Sequence, residues 1–287
     1  TSKETGIDFV NRLNDNAGMN IFSYRSYYNG GGVAIVDLNN DGLNDIFLTS
    51  NQGDNKLYIN KGNWKFEDMT EKAGVKGTKY WSTGVTLADI NADGWLDIYV
   101  CNSGNIQGDG KENELFINQQ DGTFKEEAAL YGLADKGLST HAVFFDYDLD
   151  GDLDCYVLNN SFRTSENYNV GKNARFQQDE MGGDRLYRND NNYFTDVSKE
   201  AGIYSSDIGF GLGVSVADLN NDGYPDIYIS NDFFEKDYLY INQQNGTFIE
   251  SIETMTGHIS LSSMGSDMAD INNDGLDGIF TTEMGPE

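Results

Sequence analysis

Cysteine, histidine and proline are nearly missing: the 287-residue chain has two of each. Two cysteines cannot build a disulfide framework. Cys101 and Cys155 fall at different registers of two different strands, so both are expected to be buried free thiols. His141 and His258 fit structural positions better than catalytic ones. With so little proline, the turns must rely on Gly, Asn and Asp, and 33 glycines are present. Positive charge is scarce as well. Nineteen Lys and Arg face 47 Asp and Glu, a formal charge of −28. Such a surface repels nucleic acid and anionic lipid and argues against both as partners. No apolar run reaches membrane-spanning length. There is no signal peptide, and the first residue is Thr1, so the chain is expected to be processed or trimmed, with its targeting information outside it. H-E-x-x-H, nucleophile-elbow, P-loop and dinucleotide motifs are all missing.

What is abundant is aromatic and repeated. Seventeen Tyr and 16 Phe favour strands over helices. One pattern, D-x-(N/D)-x-D-G-x-x-D, recurs from Asp37, Asp89, Asp146, Asp218 and Asp270, the last copy altered at position nine. The spacings of 52, 57, 72 and 52 residues suit a four-stranded blade rather than a helical hairpin. A small, Gly-rich apolar stretch precedes each loop, as in GGVAIV (31–36), and a β-rich run follows it, as in DIFLTS (45–50). Four copies continue with LYIN, LFIN, LYRN or LYIN and then a short aromatic segment. One unit is therefore strand, loop, strand, loop, strand, turn, strand. A lone sheet of this kind cannot bury both faces, and a radial arrangement can. The expected fold is all-β, a β-propeller of four-stranded antiparallel blades in a single domain over 1–287. The blades fall at about 31–75, 83–133, 141–203 and 213–256, with a partial one at 265–287. The Gly-rich first strands would line the crowded centre. Residues 6–10, GIDFV, read as a final strand without its blade, so the chain is expected to be an open part of a larger propeller.

The loops have the chemistry of a hard-cation site. Ca²⁺ takes six to eight oxygens, and alternate residues of a tight loop can supply them. The candidate ligands of the first loop are Asp37, Asn39, Asp41 and Asp45, with the carbonyl of Leu43. The second offers Asp89, Asn91, Asp93, Asp97 and the Trp95 carbonyl; the third, Asp146, Asp148, Asp150, Asp154 and position seven at Asp152. The fourth offers Asp218, Asn220, Asp222, Asp226 and the Tyr224 carbonyl. In the fifth, Asp270, Asn272, Asp274 and Leu276 are in place, but position nine is Gly278 and Asp277 stands one residue early, so this site is expected to be weaker or rescued by Asp277. Seventeen of the 47 acids lie in these five loops. Asx-turn hairpins use the same residue types, but five copies in one register favour metal. An EF-hand would need Glu at position twelve, where Leu48, Val100, Val157, Ile229 and Thr281 stand, and flanking helices.

With their strands, these loops resemble the FG-GAP or VCBS repeats of integrin α-chain propellers. GIDFVN (6–11), YYNGGGVAIVDLNNDGLNDIF (27–47), FFDYDLDGDLDCYVLNNS (144–161), GFGLGV (209–214) and NDFFEKDYLYIN (231–242) look most like large Bacteroidota members of the ASPIC/UnbV type, and through them cartilage acidic protein. The resemblance covers essentially the whole chain. It implies a seven-bladed ring and an exported protein, lipid-anchored at the bacterial outer-membrane surface.

The functional expectation is an extracellular calcium-binding module for a protein or glycan at the cell surface, not an enzyme. Two alternatives stand beside it: a Ca²⁺-dependent polysaccharide-active enzyme, and a structural accessory subunit of an outer-membrane complex. The metal loops fix one face of the blades. Loops of variable length, at 102–113, 159–184 and 231–237, fall on the other. The longest carries aromatic and basic side chains in a strongly acidic chain, and Phe162, Arg163, Tyr168 and Arg175 are the candidate partner contacts.

Overall fold

A computed structural model describes residues 1–103, 110–161, 173–233 and 235–284. The chain forms two compact units, Thr1–Ser139 and Thr140–Glu287. The first holds two four-stranded antiparallel sheets in simple sequential order. They are β1 (Val33–Val36), β2 (Asp45–Leu48), β3 (Lys56–Asn60) and β4 (Phe66–Asp68), then β5 (Ser82–Ala88), β6 (Asp97–Asn102), β7 (Glu114–Asn118) and β8 (Phe124–Glu126). The second unit repeats the plan with β9 (Ser139–Phe145), β10 (Asp154–Asn159), β11 (Arg185–Asn189) and β12 (Phe194–Asp196). Its next sheet is β13 (Gly211–Ala217), β14 (Asp226–Asn231), β15 (Tyr238–Asn242) and β16 (Phe248–Glu250), followed by the pair β17 (Ser263–Ala269) and β18 (Gly278–Glu283). The fold is all-β, of the β-propeller type, with each Asp-rich loop between a first and a second strand.

Burial explains the strand composition. β6, β10 and β14 are buried at every position, as befits a strand covered on both faces. In the first unit, Phe47, Leu57 and Ile59 of one sheet share a core with Ile98, Val100 and Phe116 of the next. In the second unit, Tyr156, Leu158 and Leu186 pack with Ile227, Ile229 and Tyr240. Cys101 and Cys155 are free and fully buried, as expected. The first strands do approach closely. The Gly32 N–H donates to the Thr83 carbonyl at 2.7 Å, and a Cβ on Gly32 would lie 2.9 Å from that oxygen.

The segment 6–10 is not a strand. Ile7 and Phe9 are half-buried while Asp8 and Val10 are exposed, so the alternation read from the sequence is real, but it does not form a ladder. What precedes it explains why. A one-turn helix, α1 (Ser2–Thr5), ends on Gly6 in the left-handed region, φ 87°. The same device follows the fourth strands: α2 (Thr70–Ala73), α3 (Ala128–Tyr131) and α4 (Ser198–Ala201) end on Gly74, Gly132 and Gly202, all with positive φ. A fifth turn, α5 (Ile252–Met255), ends on Thr256 in extended geometry instead. Two residues after Gly6 and after Gly202, a backbone N–H meets a tyrosine hydroxyl of the third strand that follows. Asp8 donates to Tyr58 at 3.4 Å, and Tyr204 to Tyr240 at 3.0 Å. Residues 2–8 thus sit on the first sheet as 198–204 sit on the fourth.

These glycines are held by contact as well as by backbone angle. A Cβ on Gly202 would lie 2.8 Å from the Phe248 carbonyl oxygen, whereas Gly246, also at positive φ, has open space around it. Gly246→Ala is expected to cost about 1–2 kcal/mol, for the left-handed backbone alone. Gly202→Ala is expected to cost clearly more, because connector and sheet must also part. Equal losses in urea unfolding would contradict this account of the connector.

Candidate functional site

All five loops close in the same way. Position four is left-handed at Asn40, Ala92, Leu149, Asn221 and Asn273, and so is the position-six glycine at Gly42, Gly94, Gly151, Gly223 and Gly275. The first aspartate folds the loop over itself. Asp37 accepts the Asp41 N–H at 3.1 Å and the Gly42 N–H at 2.7 Å. Asp89, Asp146, Asp218 and Asp270 do the same. Position five accepts the position-seven N–H in turn, as Asp41 does from Leu43, Asp93 from Trp95 and Asp222 from Tyr224. The candidate ligands at one, three and five therefore converge on one short stretch of chain.

Position nine does something the sequence reading did not assign. Asp45, Asp97, Asp154 and Asp226 are each fully buried. One oxygen accepts the N–H of position two: Leu38 at 3.0 Å, Ile90 at 3.1 Å, Tyr147 at 3.0 Å and Leu219 at 3.0 Å. The other accepts the N–H of the asparagine that ends the third strand: Asn60, Asn118, Asn189 and Asn242, at 2.8–2.9 Å. That asparagine donates its amide back to the residue before position nine: the carbonyls of Asn44, Leu96, Leu153 and Pro225. Asn118 and Asn242 also reach the loop of the preceding sheet, at the carbonyls of Leu38 and Tyr147. The LYIN-type asparagines are thus site residues. Their signal in the sequence was their recurrence at a fixed place after each loop.

Burial raises the position-nine carboxyls, because the charged form is the one desolvation penalises. Asp154 is pushed up to about 7 and Asp97 to about 6, each against two backbone hydrogen bonds that pull it down. Asp45 and Asp226 move in the same direction for the same reason. The third loop stands apart. Among the described residues, Asp146, Asp148 and Asp154 form an acidic group whose ligand oxygens all lie within 4.8 Å of one another. Asp148 Oδ1 and Asp152 Oδ1 are buried and lack a hydrogen-bond partner. In the fifth loop Asp270, Asn272 and Asp274 keep the shared geometry, and Asp277 is exposed.

On the opposite side of each sheet a second latch holds the variable loops. The residue before the third strand accepts the N–H from the end of the second: Asn55 from Ser50, Asn113 from Asn102, Asp184 from Asn159 and Asp237 from Asn231. In three sheets a second-strand tyrosine completes it: Tyr99 accepts from Asn113, and Tyr156 and Tyr228 donate to Asp184 and Asp237. The first sheet has Phe47 there, and Asn55 Nδ2 is left unpaired. Of the candidate partner contacts, Phe162, Arg163 and Tyr168 lie outside the described residues. Arg175 is ion-paired with the buried Glu235. Its neighbour Phe176 is exposed and meets Tyr204 edge-on at 5.3 Å. Both line a cleft of about 460 Å³ with Gln178, Lys199, Tyr204 and Ser205.

The buried carboxylate has a stability role separable from any ion. Asp226→Ala leaves the Leu219 and Asn242 N–H groups without acceptors, and each orphan costs about 1–3 kcal/mol. In excess chelator, the variant is expected to lose about 2–4 kcal/mol relative to the parent. A loss seen only with calcium present would reduce position nine to a ligand.

The FG-GAP-like repeat matches this chain four times, over residues 37–100, 101–157, 174–229 and 218–281. Among curated proteins, cartilage acidic protein 1 of Xenopus tropicalis is 28% identical over 210 residues, and that of Homo sapiens 28% over 206. Each match covers 71% of this chain and 29% of the relative, so the chain spans less than a third of those proteins. Among solved structures, an Agrocybe aegerita lectin, described as recognising non-reducing terminal N-acetylglucosamine, aligns with TM-score 0.47 and 17% identity, over 87% of this chain and 59% of that one. Matched repeat by repeat across most of its length, with an Asp-rich loop opening two of the four segments and another lying near the end of each, the chain belongs to the FG-GAP-like repeat family.

Proposed function

We propose that the protein is a calcium-stabilised extracellular binding module, with one Ca²⁺ in each of the first four loops and a protein or glycan partner on the opposite face. The observation that carries the metal reading is the third loop. Three carboxylates with ligand oxygens within 4.8 Å, one of which, Asp148, also has a buried oxygen without a donor, form an arrangement that a hard cation would satisfy. Without a cation such carboxylates repel one another strongly. Loops one, two and four offer the same backbone with an Asn amide oxygen at position three, a donor calcium also accepts. The fifth loop lacks the buried carboxylate and is the weak member.

The extracellular assignment rests on chemistry and resemblance. Modest all-oxygen loops saturate best where calcium is abundant. A lipid-anchored protein of a bacterial outer-membrane surface is the specific form implied by the ASPIC/UnbV-like segments. The partner face is supported by the cleft beside Arg175. In a chain of charge −28, its lining includes Arg175 and Lys199 and no carboxylate, with Phe176 exposed for stacking.

Chelation is expected to lower the melting temperature, and Ca²⁺ to restore it better than Mg²⁺, which keeps its waters and prefers octahedral sites. Each site filled at a hundredfold excess over Kd contributes about 2.7 kcal/mol. Binding should also weaken with acid. Asp154 and Asp97 hold protons below about pH 7 and 6, so calcium must displace them there. Without metal the sign reverses. The folded state then binds more protons than the unfolded one between about pH 4 and 7, so stability falls as pH rises through that window. A melt that ignores verified removal of calcium would sink the metal reading.

The partner face has its own test. Phe176→Ala with Lys199→Ala should weaken binding of the calcium-loaded protein to immobilised acidic glycans, leaving the melt unchanged. Binding that survives this change but is lost on altering the metal face would put the partner on the other side.

A further inference from the structure

The five loops share one backbone but not one electrostatic design, and the difference lies at position three. That residue is asparagine in loops one, two, four and five, and in the last three its amide donates to the second oxygen of position five. Asn91 reaches Asp93 Oδ2 at 3.1 Å, Asn220 reaches Asp222 Oδ2 at 3.0 Å, and Asn272 reaches Asp274 Oδ2 at 2.9 Å. In loops two and four a glutamine of the third-to-fourth turn adds a further hydrogen bond. Gln120 donates to Asp93 Oδ2 at 3.2 Å, and Gln244 bonds Asp222 and helps hold its carboxyl below the usual range. Much of the carboxylate charge of these loops is thus answered from within the protein.

The third loop lacks the side-chain amides, and only the backbone N–H groups of Asp150 and Asn191 reach Asp148 and Asp152. Asp148 replaces the asparagine, so position three has no N–H to give and adds a charge instead. Position seven adds another in Asp152. One oxygen of each is buried and unpartnered, the condition a buried polar group avoids unless something outside the chain completes it. Arg188, the cation acting on Asp148, is turned to Asp190, with Nη2 at 2.8 Å. Five carboxylates therefore crowd one loop of nine residues, at Asp146, Asp148, Asp150, Asp152 and Asp154.

Building on the calcium reading above, we propose that the third loop is the first and tightest cation site of the chain, set by Asp148 and Asp152, and that the Asn-type loops fill after it. Affinity in oxygen-ligand loops rises with the number of carboxylates. The Asn-type loops, already satisfied in part, gain less from an ion. Because Asn242 of the next sheet bonds the Tyr147 carbonyl at position two, an ion held here would also steady the contact between the two full sheets of the second unit.

The test is calorimetric titration of the chelator-stripped full chain with CaCl₂, comparing wild type, Asp148→Asn, and Asp148→Asn with Asp152→Asn. Wild type should show a distinct tight class of one site. Asp148→Asn, which rebuilds the pattern of loops two and four, should weaken that class by about tenfold or more and leave the later phase in place. Asn220→Asp should, conversely, create a second tight site. A tight class that survives the double substitution, or no separable class in wild type, overturns the ranking while calcium binding stands. No calcium uptake by any form overturns both.

Discussion

The repeat depends on one buried carboxylate. Position nine of each complete loop sits in the sheet with no exposure and keeps its place by accepting two backbone N–H groups, one from its own loop and one from the end of the third strand. This bond pair converts a local turn into a sheet-wide constraint. It fixes where the second strand begins, since Val36 pairs with Asp45, Ala88 with Asp97 and Ala217 with Asp226. It also fixes where the third strand ends. Desolvation opposes the charged form and the two N–H groups favour it, so the group is balanced near neutrality at Asp154 and Asp97. A cation would tip that balance toward the charged, hydrogen-bonded form, which is how an ion at the rim can stabilise strands it never touches.

The fifth loop isolates the parts of this design. It lacks the buried carboxylate, yet Asp270 and Asp274 close the same turn with the same left-handed residues. Positions one, three and five therefore suffice for the loop, and position nine serves the link to the third strand.

Much of this was legible in the sequence because both signals are local. Strand alternation and Asp spacing sit within about ten residues, and four complete sheets and five loops stand where those patterns placed them. What was not legible depended on partners far along the chain. The asparagines of LYIN and LFIN look like ordinary strand ends until Asp45 or Asp97 is brought against them. The connector helices are four residues long, too short for any helical periodicity to show. GIDFV has true alternation, but its pairing depends on Gly6, whose left-handed cap turns the chain across Tyr58 instead. Arg175 read as a free basic contact because Glu235, sixty residues away, could not be seen to meet it.

The two ends of each sheet are governed by different rules, and this separates scaffold from recognition. At the Asp-rich-loop end of the four complete sheets, the loop length is fixed by a two-bond carboxylate latch and cannot vary without breaking it. On the other side, a single acceptor before the third strand pins the loop mouth to the end of the second strand, and in three of the sheets a tyrosine beneath it seals the joint. Such a latch is indifferent to what lies between its ends. Asn231 and Asp237 are six residues apart and Asn159 and Asp184 twenty-five, yet both pairs close alike. Loop-closure entropy grows only slowly with length, so a long insertion there costs the sheet little. Sequence on that side is free to change shape and chemistry while the core stays fixed. A surface with that freedom, beside a cleft whose lining has no acid in an acidic chain, is where a binding function can be built without endangering the fold.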